Sequence, residues 1–229
     1  MVFRDRRDAG RRLAERLTEY RGQNALVLAL PRGGTVVGRE IADALALPLD
    51  VFIVRKIGAP GNPGYAIGAI AERGEPLIDE HIVGIYGIPP SYLEQQTAAQ
   101  QVEIARCRSL YRNGRALPAL KGKIIILVDD GIATGVTILA AIRAIRAERP
   151  AELIVAVPVA PPPLITQIEP LVDRLICLTT PEPFIAVGRW FEEFAQVPEA
   201  AVRTYLEAGR EQVLALSAST SGRWPLQPD

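Results

Sequence analysis

The sequence contains too few cysteine and histidine residues to build a disulfide framework or a metal centre from thiolates and imidazoles. Cys107, Cys177 and His81 are the only residues of these two types among 229. Neither cysteine has a second cysteine or a histidine at metal-ligand spacing, so both are expected to be reduced packing residues. His81 is expected at the surface or in a structural role, because no serine or cysteine nucleophile motif accompanies it.

The chain also lacks an excess of charge and a long apolar run. Lysine plus arginine and aspartate plus glutamate both total 26, so no global field attracts nucleic acid or an anionic membrane. No segment approaches the ~18 apolar residues of a membrane span, and the first residues lack the apolar run of a signal peptide. The expectation is a soluble cytoplasmic protein without nucleic-acid or membrane partners, in which any anion site is local.

Short apolar segments alternate with helical segments along the chain, and hydrophobic residues make up 48% of it. Strands are predicted at 25–30, 50–55, 123–128, 153–157 and 174–178. Helices are predicted at 4–20, from the turn at 33–34 to about 46, at 91–112 behind a Ser91/Glu94 capping box, from about 138 to 149, after the prolines at 161–163, and at 198–216. This alternation predicts an α/β fold, a doubly wound and mostly parallel sheet with helices on both faces.

One segment interrupts this pattern. Residues 56–65 hold three glycines and two prolines, which predicts a long exposed loop without regular structure, followed by an apolar stretch at 66–71. The chain as a whole is expected to form a single domain over 1–216. A small hood or appendage would come from 1–24 and 180–216, and 217–229 would be a polar tail.

Three loops follow predicted strands, after residues 30, 55 and 128. In an open parallel sheet such loops meet at one crevice, where ligands bind. The third loop begins with Asp129-Asp130 and continues Gly131-Ile132-Ala133-Thr134-Gly135-Val136-Thr137. Small residues at a helix N-terminus suit a phosphate monoester, and the two carboxylates suit neighbouring hydroxyls or hydrated Mg²⁺. A phosphate beside a vicinal diol indicates a ribose 5-phosphate.

The apolar strand with residues 129–137 resembles the signature with which type I phosphoribosyltransferases bind 5-phosphoribosyl-1-pyrophosphate (PRPP). Pro31-Arg32-Gly33-Gly34 resembles the pyrophosphate loop of that family, and the loop that begins at Arg55-Lys56 resembles its flexible catalytic loop. The amino-acid sequences of 53–70 and of 189–194 are similar to those of a bacterial group within the family. That group has no assigned substrate. The match extends over most of the chain.

The resemblance implies a type I phosphoribosyltransferase fold, PRPP and a nitrogenous base as substrates, and Mg²⁺ as cofactor. Lys56, Arg32, Asp129 and Asp130 would be catalytic, and the two aspartates would hold Mg²⁺ through water. The residues that would bind PRPP are Arg32, Gly33, Gly34, Asp129, Asp130, Gly131, Ile132, Ala133, Thr134, Gly135 and Thr137. The resemblance is compatible with a homodimer.

The base site is expected to depend on stacking. Trp190 and Phe191 are the candidates for this role, and the neighbouring Phe194 is a further one. Ala133 lies where the enzymes that act on 6-oxopurines place a carboxylate, so hypoxanthine and guanine are expected to be poor acceptors. The aromatic residues could equally belong to the core.

Other functions remain open at this point. A regulatory protein could keep the PRPP loops and lack turnover, because similar sites serve both purposes. A phosphatase with an aspartate nucleophile fits less well, since adjacent Asp129-Asp130 alternate about the strand axis. The Gly33-Gly34 turn and the Arg55-Lys56 pair could also be an ordinary turn and a solvated strand end. A Walker-type phosphate loop is excluded, because the chain has no Gly-Lys-Ser/Thr sequence.

Overall fold

A five-stranded parallel sheet forms the centre of the molecule, for which a computed structural model describes residues 2–209. Its strands lie in the order β2-β1-β6-β7-β8. Their bounds are Ala25–Ala29 for β1, Leu49–Val51 for β2, Ile124–Val128 for β6, Glu152–Val159 for β7 and Arg174–Thr179 for β8. The order reverses between β1 and β6, which is the point where doubly wound sheets open a ligand crevice.

Helices cover both faces of this sheet, apart from α3, which packs against a second, smaller sheet described below. Their bounds are Arg6–Ala14 for α1, Gly33–Leu45 for α2, Glu80–Tyr86 for α3, Pro90–Arg112 for α4, Val136–Ala147 for α5 and Pro162–Ile168 for α6. Short 3-10 turns occur at Thr18–Tyr20, Glu169–Leu171 and Val187–Trp190, and the residues at 199–209 are helical. The expected doubly wound α/β fold is therefore confirmed. Within residues 2–209 no helix has the length and apolar composition needed to cross a bilayer.

The strands explain why both faces of the sheet need helices. Consecutive side chains of a strand point to opposite faces, and every residue of β1 is buried. Val27 packs in one hydrophobic cluster with Ile41 of α2, whereas Leu28 packs in another with Ile142 of α5. A continuous apolar strand of this kind is stable only when both of its faces are covered.

The segment at 54–71 is an antiparallel hairpin, so the expectation of an irregular loop at 56–65 is wrong. Strand β3 (Val54–Ala59) pairs with β4 (Asn62–Ala71), and β5 (Leu77–Ile78) completes a small sheet. The register shifts on both sides of Gly58, where a Cβ would lie 2.7 Å from Pro63, and Gly61 has a positive φ of 72° in the turn. The glycines and prolines therefore mark bulges and a turn within a hairpin.

Three further expectations differ from the structure at element ends. The helix predicted at 4–20 ends at Ala14, and a separate 3-10 turn follows at Thr18–Tyr20. The strand predicted at 50–55 is divided between β2 of the large sheet and β3 of the small one. Helix α4 begins at Pro90 after an extended Pro89, and no side chain caps it, so the proposed Ser91/Glu94 capping box is wrong. Proline suits the first helical position, where an N–H would have no partner. Residues 210–229, with the predicted helix end and tail, lie outside the described range.

The N-terminal segment is joined to the chain near residue 190. The N–H of Phe3 donates to the carbonyl of Trp190 at 2.8 Å, and the N–H of Glu192 donates to the carbonyl of Phe3 at 2.9 Å. Phe3 and Phe191 pack with Val159 in a small buried cluster. This pairing lies beside the carboxyl ends of the parallel strands. The division into domain and hood that the sequence suggests stays a prediction.

A buried arginine ties α4 to the edge of the sheet. Arg112 is fully buried, and its Nε donates to Asp50 at 2.8 Å. Its Nη1 and Nη2 donate to the two carboxylate oxygens of Glu72 at 2.6 and 2.7 Å, and Nη2 also donates to the carbonyl of Val51. The network fixes the start of the small sheet against the large one.

Candidate active site

The loop after β1 and the loop after β6 are in direct contact. A Cβ on Gly33 would lie 1.8 Å from Oδ2 of Asp130, and a Cβ on Gly34 would lie 2.9 Å from Cα of Asp129. Only residues without a side chain allow this approach. The structure thus brings together two of the three loops that the sequence singles out. The peptide bond between Pro31 and Arg32 in the first of them is cis.

The two adjacent aspartates are partly buried at the tip of β6. Oδ1 of Asp129 accepts a hydrogen bond from the N–H of Asp130 at 2.8 Å. Burial, and then the negative charge of Asp130, raise the pKa of Asp129 well above its usual range. A cation beside the pair would remove this cost, which makes the two carboxylates a suitable place for one.

The segment 131–137, which the sequence predicts to bind a phosphate, leads into the start of α5. Gly135 precedes the helix with a φ of 78°, and no side chain of the described residues caps the first turn. Ala133 and Thr134 are exposed, whereas Gly131 and Ile132 are buried. Backbone N–H groups at an uncapped helix N-terminus, with the positive end of the helix dipole, suit a bound phosphate.

This segment and the acid pair open into one cleft of about 350 Å³. The residues that line it come from α1, from the hairpin, from the loop after β6 with the start of α5, and from the segment at 187–194. They are Arg6, Lys56, Asp129, Asp130, Gly131, Ile132, Ala133, Thr134, Gly135, Thr137, Ile138, Val187 and Phe194. The volume falls within the range of small-molecule sites.

Lys56 reaches this cleft from β3 of the hairpin. Its side chain is exposed, and it also lines a larger adjoining cavity of about 590 Å³ together with Asp129 and Thr137. Gln96 and Gln100 of α4 form part of the far wall of that cavity. The third loop predicted from the sequence therefore meets the other two, although it is a hairpin.

Arg32 lies apart from the acid pair. It lines a third cavity of about 230 Å³, whose walls include Arg55, Cys107 and Tyr111. Near that cavity Glu103, Cys107 and Glu199 lie within ligand distance of one another, but Arg106 already pairs with both glutamates. Arg32 does not line the cleft that contains Asp130.

Sequence reasoning missed Arg6, which lies directly on the acid pair. Its Nε donates to Oδ2 of Asp130 at 2.7 Å, and Nη1 donates to the carbonyl of Ala195, also at 2.7 Å. The guanidinium lies 3.7 Å from the centroid of the Phe194 ring. The sequence carries no local signal for this contact, because Arg6 is one of several arginines on α1 and 124 residues separate it from Asp130.

The aromatic residues proposed for the base site are placed differently from one another. Phe191 is 6% exposed and packs against Phe3, so it belongs to the core and cannot stack on a ligand in this arrangement. Trp190 packs against the same cluster. Phe194 lines the cleft, with Val187 beside it.

Most of this chain matches one known protein family. The model of the family described as the phosphoribosyl transferase domain matches residues 4–188. The chain belongs to the phosphoribosyl transferase domain family. The resemblance that the sequence motifs carry is thereby confirmed. The match includes the loops after β1 and β6 and the hairpin at 54–71.

Named relatives and a solved structure extend this finding. Proteins of two Mycobacterium tuberculosis strains, CDC 1551 and H37Rv, provisionally named phosphoribosyl transferases, are 38% identical over 206 residues, which cover 90% of this chain and 46% of theirs. The chain thus spans about half the length of these relatives. The crystal structure of TT1426 from Thermus thermophilus is 40% identical, with a TM-score of 0.75, covering 90% of this chain and 98% of that one.

Proposed function

We propose that this phosphoribosyl transferase domain binds PRPP with Mg²⁺ and transfers the 5-phosphoribosyl group to a nitrogen atom of a base, releasing pyrophosphate. The observation that carries the proposal is the contact of Gly33 and Gly34 with Asp130 and Asp129. It places a glycine loop suited to a diphosphate and two carboxylates suited to a diol beside an open helix N-terminus. PRPP is a ligand that needs all three at once.

The binding roles follow from the chemistry of each part. The N–H groups of 131–135 and the hydroxyls of Thr134 and Thr137 would hold the 5′-phosphate. Asp129 and Asp130 would accept hydrogen bonds from the ribose hydroxyls. The same two carboxylates would hold hydrated Mg²⁺, whose charge offsets that of the departing pyrophosphate. Two carboxylates, completed by water and substrate oxygens, are a common ligand set for this ion.

The reaction develops negative charge on pyrophosphate as its bond to C1 of the ribose breaks. Lys56 is exposed at the junction of two cavities and would stabilise this charge in the transition state. Arg32 would contribute from the pyrophosphate loop if the diphosphate extends toward the third cavity. The hairpin at 57–66 would close over the bound substrate and exclude water, which otherwise hydrolyses PRPP.

The acceptor site would lie on the side of the cleft formed by Phe194 and Val187. Ala133 is exposed there and carries no group that could move a proton at the base. The faces of the Phe194 ring already pack against Arg6 and Phe191. We therefore expect apolar contacts with Val187 and with the edge of the Phe194 ring to hold the base, in the role first assigned to Trp190 and Phe191. Hypoxanthine and guanine would be poor acceptors.

A panel of acceptors tests this function. Pyrophosphate release from PRPP is measured with Mg²⁺ and adenine, hypoxanthine, guanine, uracil or orotate, in the wild type and in Phe194→Ala and Trp190→Ala. Release with one base, lost in Phe194→Ala and retained in Trp190→Ala, is the expected result. Efficient turnover of hypoxanthine or guanine would refute the role given to Ala133. PRPP binding without release with any base would favour the regulatory alternative.

A further inference from the structure

Arg6 joins α1 and the segment at 194–195 to the acid pair. Its guanidinium bonds Oδ2 of Asp130 at 2.7 Å and the carbonyl of Ala195 at the same distance, and it lies over the Phe194 ring. The side chains of Arg6 and Asp130 are 11% and 16% exposed, so solvent screens the ion pair only in part. Three separate contacts thus hold one guanidinium in place.

We propose that Arg6 is a positioning residue for the sugar site, which holds the carboxylate of Asp130 in the orientation that receives the ribose hydroxyls. The proposal rests on the proposed function. It assigns to α1 a part in sugar binding that neither the family description nor the sequence motifs contain.

The geometry indicates that Arg6 orients the carboxylate of Asp130 and does not block its access to a ligand. Oδ2 of Asp130 faces the protein, since both Arg6 and the backbone at Gly33 contact it. The contact with Arg6 therefore leaves Oδ1 for a ligand or for Asp129. A carboxylate can accept about four hydrogen bonds, so the bond from Arg6 does not exhaust Asp130.

The contacts that hold the Arg6 guanidinium explain how it can fix the side chain of Asp130. An arginine on a helix surface has many rotamers, and ordering it is costly unless other contacts share that cost. Here the Phe194 ring and the Ala195 carbonyl hold the guanidinium in addition to Asp130. Groups that must meet a substrate hydroxyl within a fraction of an ångström need this kind of support.

Variants of Arg6 test the proposal through ligands that differ in the ribose. Dissociation constants for PRPP with Mg²⁺ and for ribose 5-phosphate are measured by calorimetry, without acceptor, and that for inorganic phosphate by NMR titration. In Arg6→Gln both ribose ligands should bind roughly 10- to 100-fold more weakly, the range for one charge-assisted hydrogen bond. Inorganic phosphate, which needs only residues 131–137, should change less than about 2-fold, because its contacts are retained.

Three variants accompany this test. Arg6→Lys should recover part of the lost affinity, because it keeps the charge without the planar donors. Phe194→Ala should show the same pattern more weakly, since it leaves Asp130 intact and removes the support of Arg6. Arg7→Gln is the matched control: Arg7 is the next residue on α1 and pairs with Glu40 and Tyr205 away from the cleft. It should bind all three ligands as the wild type does.

The outcomes separate this inference from the proposed function. A wild type that does not bind PRPP would overturn both. PRPP binding unchanged or tightened in Arg6→Gln would overturn the positioning role alone. So would equal losses for phosphate and PRPP, since they would mean that Arg6 supports the whole cleft. Phosphate binding by Arg6→Gln also shows that the variant is folded.

Discussion

Gly33 and Asp130 approach each other so closely that a Cβ on Gly33 would lie 1.8 Å from Oδ2 of the aspartate. The contact joins the loop after β1 to the loop after β6 at the point where the strand order reverses. Each loop has an ordinary structural explanation by itself, as a turn and as a strand end. The contact between the two loops combines them into one site.

Gly33→Ala tests the need for this approach. The added methyl group must displace Asp130 or the loop backbone, so PRPP affinity should fall at least ~10-fold, with a destabilisation of about 1–3 kcal/mol. Gly84→Ala is the control, because Gly84 lies in α3 with nothing near its Cβ position and no positive φ. Calorimetry and thermal melting measure both effects. Unchanged PRPP affinity in Gly33→Ala would show that the two loops do not act together.

Lys56→Ala should lower the turnover number more than it lowers PRPP affinity. The reason is that Lys56 is exposed in the free protein and would act on charge that develops in the transition state. Steady-state rates give the turnover number, and PRPP titrations give the affinity. Lys121→Ala, another exposed lysine and outside the cleft, should leave both unchanged. Equal losses in turnover and affinity for Lys56→Ala would contradict this role.

Asp129→Asn should stabilise the metal-free protein at neutral pH while weakening the binding of PRPP with Mg²⁺. The raised pKa of Asp129 means that the folded state holds a proton more tightly than the unfolded chain. Stability therefore falls as pH rises from the usual carboxyl value of 3.8 toward the raised pKa, and asparagine avoids this loss. Melting curves with chelator should show a difference that is larger at pH 7 than at pH 4.5. A variant less stable than the wild type at pH 7 would contradict this explanation.

Arg112→Met should be the most destabilising of these substitutions, by about 3–5 kcal/mol, because it leaves Asp50 and Glu72 buried without their cation. Denaturant titration measures the loss. The exposed Arg106 network is the comparison, and Arg106→Ala should shift the melting temperature little. If the triple variant Arg112→Met, Asp50→Asn, Glu72→Gln is no more stable than Arg112→Met alone, uncompensated charge is not the cause.

The sequence predicts the parallel sheet and its loops well because their signals are local. A run such as Ile124–Val128 followed by two aspartates and small residues combines a buried strand, an acid pair and a helix start within a few positions. The hairpin at 54–71 was missed because the three glycines and two prolines at 56–65 also suit an irregular loop. Only the pairing of β3 with β4 shows that they mark bulges and a turn.

The contacts of Arg6 and Arg112 were beyond sequence reasoning. Both lie in helices that hold other arginines, and their partners lie 124 positions away for Arg6 and 62 and 40 for Arg112. The aromatic residues gave a related error. Which ring faces the cleft is decided by the pairing of Phe3 with Phe191, which buries Phe191 and leaves Phe194 on the cleft.

The central claim is that the cleft at Asp129 and Asp130 binds PRPP with Mg²⁺, and thermal melting with and without this ligand tests it most directly. A ligand that binds only the folded state at ~100 times its dissociation constant stabilises it by about 2.7 kcal/mol. The melting temperature of the wild type should rise with PRPP concentration when Mg²⁺ is present, and Asp130→Asn should lose most of that rise. An unchanged melting temperature at millimolar PRPP would contradict the claim.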